Sequence, residues 1–436
     1  MPSARSASDT RRDAADVSAR RLRSRAHRDD SHMTPLELRS SVSLASIFAL
    51  RMLGLFLILP VFAVHARGIP GGSDATLVGL ALGIYGLTQA LLQLPFGMAS
   101  DRWGRKPVIV AGLGLFALGS FVAAAAVGIV GTIVGRALQG AGAISAAVSA
   151  FVADSTRDSQ RTKAMAMVGG SIGVTFALSL VAAPLLYDAI GMSGIFVFTG
   201  VLAIAAILVV VFVVPPVPLA VAADASRTPL RDVVREPDLL RLNFGIFSLH
   251  AVQMAMFVVL PTWLADRAGI AVSDHWKIYL PVVVFSFLLM LPPLFWSERR
   301  GKLRIVFLAA IAMVLVVQLA LVAQPSGLLP FVVLLLVFFA GFNVLEASLP
   351  SLISRLAPVD AKGAALGVYN TTQSLGLFFG GLLGGWVQQS WGRPAVFVAC
   401  AALMAAWLVV ASGHRRWPRS ARAAAHGAAA SANGSA

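Results

Sequence analysis

Long apolar runs recur along the whole chain, and they restrict its fold more than any other feature. Each run has about 20 residues with few charges, enough for a helix to cross the roughly 30 Å hydrocarbon core of a bilayer. Transmembrane strands would instead give alternating segments of about ten residues. The sequence therefore predicts an all-α polytopic membrane protein with twelve transmembrane helices. The predicted spans are 42–64, 76–98, 107–126, 129–153, 164–187, 194–214, 243–264, 276–296, 305–323, 328–352, 363–387 and 395–412.

The charge pattern indicates topology and argues against nucleic-acid binding. The net charge is +15, although only 13% of the residues are charged. When the loops are assigned alternately to the two sides, one side collects most of the lysines and arginines. The other side has Arg67, Arg267, Lys277 and Arg393. By the positive-inside rule both termini are cytoplasmic, and we expect a multi-pass protein of a bacterial cytoplasmic (inner) membrane.

The longest internal connection, residues 215–240, divides the spans six and six. It predicts two six-helix bundles, at 41–214 and 241–412, joined by a cytoplasmic loop. The basic N-terminal tail (1–40) and the low-complexity C-terminal tail (413–436) are predicted to be disordered.

A weak internal repeat supports two related halves. The stretch "SDRWGRK" (100–106) follows the second span, and "SERRGKL" (297–303) follows the second span of the other half. Two duplicated halves around a central cavity are typical of secondary transporters.

The turn after the second span resembles that of the major facilitator superfamily. The family pattern G-x-x-x-D-R-x-G-R-[KR] is met by Gly97, Asp101, Arg102, Gly104, Arg105 and Lys106. The fourth span carries the companion R-x-x-Q-G-x-G pattern from Arg136 to Gly142. The resemblance covers roughly 33–412 and implies two pseudo-symmetric bundles that alternate access to a central cavity.

Stretches such as "GIYGLTQALLQLPFG" and "DHWKIYL" are similar to YajR-type members of the drug:proton antiporter group. Two features depart from that group. No soluble domain is expected after the twelfth span, where some members have one. The antiporter signature of the fifth span is also blurred, because Ala183 precedes Pro184 where the pattern has glycine.

The resemblance implies a conformational latch at the turn after the second span. Asp101 would contact the N-terminal end of the eleventh span, near Lys362, because a helix N-terminus attracts a carboxylate. Asp154 ends the fourth span at the same face, within reach of Arg105. The alternative is a basic loop that serves topology alone. The placed aspartate and glycines favour the latch.

Ionisable residues inside the spans are the candidates for the transport site. Arg51, Arg136, His250 and Glu346 lie in spans one, four, seven and ten. A charge at the bilayer centre costs about 3 kcal/mol or more, so such residues are retained for a reason. In the fold that the resemblance implies, these four spans line the cavity. The alternative is that they stabilise packing through buried hydrogen bonds.

Glu346 is the best candidate for a proton carrier, because a carboxylate in a low-dielectric cavity binds a proton more readily than one in water. His250 titrates in the physiological range and could act with it, although a structural histidine fits as well. We expect Asn343, one turn before Glu346, to face the same way. Arg51 and Arg136 would bind an anionic substrate group or tune Glu346.

The second span has a polar stripe formed by Tyr85, Gln89 and Gln93 at helical spacing. Such residues either join helices by hydrogen bonds or contact substrate, and we favour the first interpretation slightly. In the eleventh span, Gly376 and Gly384 belong to a glycine repeat that predicts a close-packing face.

Several chemistries are disfavoured by the sequence. Cys400 is the single cysteine, so no intramolecular disulfide or thiolate metal site can form. No Walker A loop, metalloprotease motif or plausible nucleophile elbow occurs. We therefore expect a transporter, not an enzyme, and no metal or cofactor.

The sequence as a whole predicts a monomeric secondary transporter that exports a small amphipathic compound or drug in exchange for protons. Two other interpretations stay open. One is a proton-coupled symporter or facilitator for an anionic metabolite. The other is a non-transporting sensor built on a transporter fold.

Overall fold

The computed structural model describes residues 33–216, 235–325, 327–358, 361–413 and 417. Within these ranges the chain is helical, with turns between the helices and no strand. The helices are α1 (Pro35–Phe56), α2 (Ala75–Trp103), α3 (Arg105–Ala124), α4 (Ile129–Ala141), α5 (Ser145–Asp154), α6 (Asp158–Leu208), α7 (Pro237–Asp266), α8 (Trp276–Arg300), α9 (Leu303–Val322), α10 (Leu328–Leu356), α11 (Lys362–Trp391) and α12 (Arg393–Ser412).

These helices account for the predicted spans. Ten helical segments of the described chain are long and apolar enough to cross a membrane, with α4 and α5 together forming one of them. The 51-residue α6 turns at Gly191, where φ is 67°, and so contains two of the predicted spans. The glycine-rich α11 corresponds to the eleventh. The all-α polytopic fold is confirmed, and the helices are consistent with twelve spans.

Helix α1 begins earlier than the sequence predicted. A capping box starts it at Pro35: the Thr34 hydroxyl accepts from the Glu37 amide at 3.2 Å, and the Glu37 carboxylate accepts from the Thr34 amide at 2.8 Å. Two orphan amides of the first turn are satisfied in this way. Residues 35–40 are therefore helical, which corrects their assignment to a disordered tail.

Other predicted boundaries fall partly outside the described residues. Helix α7 starts at Pro237, inside the loop predicted for 215–240, because a proline at the first helical position is tolerated there. Most of that loop lies outside the described residues. The same holds for most of the two predicted tails.

The helices pack as two bundles, one from α1 to α6 and one from α7 to α12. In the first bundle α1 packs on α6, and α3 packs on α4 and α6. In the second, α7 packs on α11, while α9 packs on α10 and α12. The bundles meet where α2 contacts α11 and where α6 contacts α8. Each bundle thus contributes one helix to each of these two contacts.

The two ends of the bundles are packed differently. We call the membrane face with the α2–α3 turn (101–106) the basic face, and the opposite face the far face. Toward the far face α2 and α11 meet backbone to backbone, since a Cβ on Gly79 would lie 2.1 Å from the Gly381 carbonyl oxygen. Toward the basic face a Cβ on Gly97 would meet only Ala146, and one on Gly367 would meet nothing within 4 Å. The bundles therefore close at the far face and diverge toward the basic face.

Candidate functional site

Two protonatable residues of the second bundle lie together at mid-depth. Glu346 on α10 and His250 on α7 approach to 3.8 Å between Oε2 and Nε2. The His250 side chain is buried and that of Glu346 is 31% exposed. Glu346 Oε2 is itself buried and has no hydrogen-bond partner among the described residues. The structure thus brings the predicted pair together and leaves one carboxylate oxygen without a hydrogen-bond partner among the described residues.

Gln373 on α11 completes this cluster and was missed by the sequence analysis. Its Nε2 lies 2.7 Å from His250 Nε2 and 3.5 Å from Glu346 Oε1. The cluster therefore takes one side chain from each of three helices. The available signal was a glutamine inside an apolar span, which is a polar group that needs a partner in hydrocarbon.

Asn343 does not join the Glu346 cluster. Its Nδ2 donates to the Ser286 hydroxyl of α8 at 3.0 Å, and both side chains are buried. The expectation that it faces the same way as Glu346 is replaced by a bond between α10 and α8. Asn343 and Glu346 are three residues apart on α10, a spacing that allows Asn343 to point either toward Glu346 or toward α8.

Arg51 and Arg136 of the first bundle are fully buried beside one aromatic ring. The Arg51 guanidinium lies 5.5 Å and that of Arg136 4.9 Å from the centre of the Tyr85 ring. Arg51 donates to Gln89 at 2.9 Å, and Arg136 donates to Gln139 at 2.7 Å. Neither guanidinium has a carboxylate partner in the part of the chain that the structure describes. They are held by cation–π contacts and neutral amides rather than by Glu346.

One residue of the polar stripe of α2, Gln89, joins helices by hydrogen bonds. Gln89 accepts from Arg51 and donates to the Ser374 hydroxyl of α11 at 2.9 Å. This bond links the two bundles at mid-depth. Tyr85 lies under the two arginines, and both amide atoms of the buried Gln93 lack a partner among the described residues.

An aromatic contact lies between the bundles close to this depth. Phe176 of α6 meets Phe257 of α7 at 6.2 Å, Phe339 of α10 at 6.0 Å and Phe342 at 6.2 Å between ring centres. Phe342 also contacts the His250 ring at 5.8 Å. These rings add apolar contact area between the bundles beside the protonatable cluster.

The α2–α3 turn shows the charge cluster that the sequence predicted. Arg105 binds Asp101 and, through Nε at 2.8 Å, Asp154 at the end of α5. Gly104 has φ 94°, a conformation that favours glycine. The Asp101 side chain is 61% exposed and makes no described bond to α11. With the bundles apart at this face, the predicted latch stays a prediction.

The second half contains a related ion pair. Glu298, which corresponds to Asp101 in the repeat, lies at the end of α8 and binds Arg355 at the end of α10 at 3.5 Å. The ends of α8 and α10 correspond, in the first half, to the ends of α2 and α5, which Arg105 joins. The signs of the charges are rearranged, because a basic residue takes the place of Asp154.

A charged cluster at the far face was also missed by the sequence analysis. Arg67 donates two hydrogen bonds to Asp266 at the end of α7, at 2.7 and 3.0 Å, and these bonds raise the pKa of Arg67. Arg393 at the start of α12 binds the same carboxylate. Beside it, the Ala75 amide donates to Gln389 at 2.9 Å. Two of these contacts, Arg67–Asp266 and Ala75–Gln389, join the first bundle to the second where the bundles close.

We expect Asp266→Asn to weaken closure of the far face. A partly exposed ion pair stabilises by about 0.2–1 kcal/mol, so the far-closed population should fall by roughly 1.5-fold to fivefold. The readout is the distance between spin labels on Leu94→Cys of α2 and Gly367→Cys of α11 in a Cys400→Ala background. We call it the basic-side distance, and Asp266→Asn should populate shorter values.

The matched control is Asp274→Asn. Asp274 binds Lys277 at 2.7 Å at the same face but within one bundle. Identical distance distributions for the two variants would contradict a closing role for Asp266.

Two six-span bundles around buried polar and protonatable groups have the architecture of a secondary membrane transporter. The chain belongs to the Major Facilitator Superfamily, whose sequence model matches residues 44–380 and 278–432.

Relatives and solved structures agree with this assignment. The chain is 44% identical over 393 residues to the inner membrane transport protein YajR of Escherichia coli, covering 89% of this chain and 86% of that protein. It is 26% identical to the multidrug resistance protein MdtH of Aeromonas salmonicida, covering 76% and 82%. A bacterial homologue of the human lysosomal transporter Spinster has the same fold, with a TM-score of 0.71 at 15% identity over 89% of this chain and all of that one.

Proposed function

We propose that the protein exports a small amphipathic compound across the inner membrane in exchange for protons. The Glu346 cluster carries this proposal, because a carboxylate with one unpaired buried oxygen is the group best placed to bind and release a proton. Protonation biases a conformational equilibrium only if the two states bind the proton with different affinity. The side chains of the Glu346 cluster come from α7, α10 and α11. Movement of these helices against the first bundle would change the surroundings of Glu346 and therefore its affinity for a proton.

The direction of transport rests on the charge pattern and on the relatives. Since lysines and arginines concentrate at the basic face, that face is the cytoplasmic one in the proposal. Substrate would then approach the Glu346 cluster from the cytoplasm in the state described. The similarity to an inner membrane transport protein and to a multidrug resistance protein supports export.

A second candidate is uptake of an anionic metabolite, by symport or facilitated transport. The buried Arg51 and Arg136, which lack carboxylate partners among the described residues, favour it. However, the Tyr85 ring lies against both guanidiniums, and Gln89 and Gln139 each accept a hydrogen bond from one of them. Because Arg51 and Arg136 already take part in packing between helices, they are weaker candidates for anion binding, and export is the better supported function.

Glu346→Gln tests the proposal in proteoliposomes with an imposed pH gradient. Ethidium serves as an amphipathic cationic probe, and carboxyfluorescein serves as an anionic one. We expect proton-driven ethidium flux in the parent and at least a tenfold loss of it in Glu346→Gln, because the amide cannot exchange a proton. Glu298→Gln removes a surface carboxylate and is the matched control.

The outcomes separate the candidate functions. Ethidium flux that is unaltered and independent of pH in Glu346→Gln would refute the proton role. Proton-driven movement of carboxyfluorescein alone would favour the anion transporter. A protein that moves neither these probes nor any ligand found in a thermal-shift screen would be the non-transporting sensor.

A further inference from the structure

The hydrogen bonds around His250 fix which ring nitrogen carries a proton. Nδ1 lies 3.2 Å from the Ile246 carbonyl oxygen, which can only accept, so Nδ1 carries the hydrogen. In a neutral imidazole Nε2 is then an acceptor with one lone pair. The Gln373 atom 2.7 Å from it is the amide nitrogen, which also faces the Glu346 carboxylate, another acceptor. The hydrogen on Nδ1, the lone pair on Nε2 and the orientation of the Gln373 amide are therefore consistent with one another.

Two donors can compete for the single lone pair of His250 Nε2. Gln373 occupies it in the structure, while Glu346 Oε2 lies 3.8 Å away and has no hydrogen-bond partner in the described part of the chain. An ionised Glu346 has no hydrogen to donate. When Glu346 takes up a proton, its O–H becomes a donor directed at the same nitrogen. A carboxylic acid is a stronger donor than an amide, so the Gln373 amide must give up this bond.

We propose that Gln373 is the positioning residue that transmits the protonation of Glu346 to α11, through exchange of donors at His250 Nε2. The inference rests on the proposed proton-coupled transport and adds the route by which the proton acts. One proton arrives from solvent, binds Glu346, and is shared with His250, while the Gln373 amide is released. The reverse exchange follows when the proton leaves.

The position of Gln373 on α11 connects this exchange to the contact between the bundles. The next residue, Ser374, accepts from Gln89 of α2, and a Cβ on Gly86 of α2 would lie 2.3 Å from the Ser374 carbonyl oxygen. A change of partner at Gln373 therefore occurs beside the residue where α11 and α2 are bonded. Release of the amide removes the Gln373–His250 hydrogen bond between α11 and α7 at the same depth.

The titratable side chains that the structure places near Glu346 are those of His250 and Tyr369. His250 comes from α7, and Tyr369 comes from α11 with a buried hydroxyl that has no partner among the described residues. The α8 helix presents Ser286, which Asn343 binds. Charged residues of α8 and α9 lie near the helix ends: Arg304, for example, binds the Ser412 carbonyl.

The basic-side distance measured between pH 5.5 and 8.5 tests the inference. We expect the parent distribution to change with pH and Glu346→Gln to abolish the change. Gln373→Met keeps the length of the side chain but removes the donor, and we expect it to reduce the pH-dependent change at least threefold. Gln373→Asn keeps an amide on a shorter arm and should reduce it less, which provides a second variant if the first does not fold.

Thr372→Val is the matched control, because among the described residues the Thr372 hydroxyl bonds only to the Val368 carbonyl of its own helix. If the parent responds to pH and Glu346→Gln does not, while both Gln373 variants behave as Thr372→Val does, the role of Gln373 is overturned and proton coupling stands. A parent distance that does not change with pH, together with unaltered flux in Glu346→Gln, overturns the proposed function itself.

Discussion

Gly381→Val is expected to abolish transport while the protein still inserts and folds. A Cβ at Gly381 would lie 2.5 Å from the Gly79 carbonyl oxygen, a backbone atom that cannot move aside. The added side chain therefore separates α2 from α11 in the far-closed state. Overpacking of this kind costs about 1–3 kcal/mol, so the far-closed population should fall by roughly five- to 160-fold. The protein would be held open toward the far face.

Two measurements check this expectation. Ethidium flux should fall at least tenfold, and the basic-side distance should shorten as the bundles close at the basic face. Gly367→Val is the control for flux, because it adds the same side chain to the same helix where a Cβ meets nothing within 4 Å. Parent-level flux in Gly381→Val would contradict the inference that α2 and α11 must meet backbone to backbone.

Asp101→Asn is expected to lower flux at least tenfold without reducing insertion. In the described state Asp101 binds Arg105, and in the proposed far-open state it would also face the N-terminal end of α11. A charge at a helix end contributes about 0.3–1 kcal/mol, and a hydrogen bond to a charged group about 1.5–3 kcal/mol. Loss of both would disfavour closure of the basic face by tenfold or more.

The basic-side distance should then shift toward longer values in Asp101→Asn. Glu298→Gln is the matched control, since Glu298 has the equivalent position in the second half and binds only Arg355 at 3.5 Å among the described residues. Flux in Asp101→Asn within twofold of the parent would leave the turn with a role in topology alone.

The fold could be predicted because hydropathy reports directly on what a bilayer requires of a helix. Interruptions inside the spans were less visible. The break between α4 and α5 at residues 142–144 falls within one apolar run, whereas the turn at Gly191 lies in the predicted gap between the spans 164–187 and 194–214. The early start of α1 depends on the Thr34–Glu37 capping box, whose polar residues resemble a tail when read for hydropathy alone.

The part of the candidate site that could be predicted consists of ionisable side chains, because their burial in a membrane span is costly. Glu346 and His250 stood out because ionisable groups are rare in spans, and the structure places them together. Gln373 and Ser374 escaped notice, because a neutral amide or hydroxyl costs less to bury than a charge and its partner is distant in sequence. Arg67 was counted only for topology, since its bonds to Asp266 depend on how the bundles meet.

The buried arginine pair of the first bundle has a consequence for the response to membrane voltage. Arg51 and Arg136 keep their charge, and no carboxylate among the described residues neutralises them. Any rocking of this bundle therefore moves two positive charges through the transmembrane field. A displacement across one tenth of the field at 100 mV changes the energy by about 0.5 kcal/mol. An interior-negative potential would then favour whichever state brings the pair nearer the cytoplasm, so the electrical gradient acts on the protein as well as on its cargo.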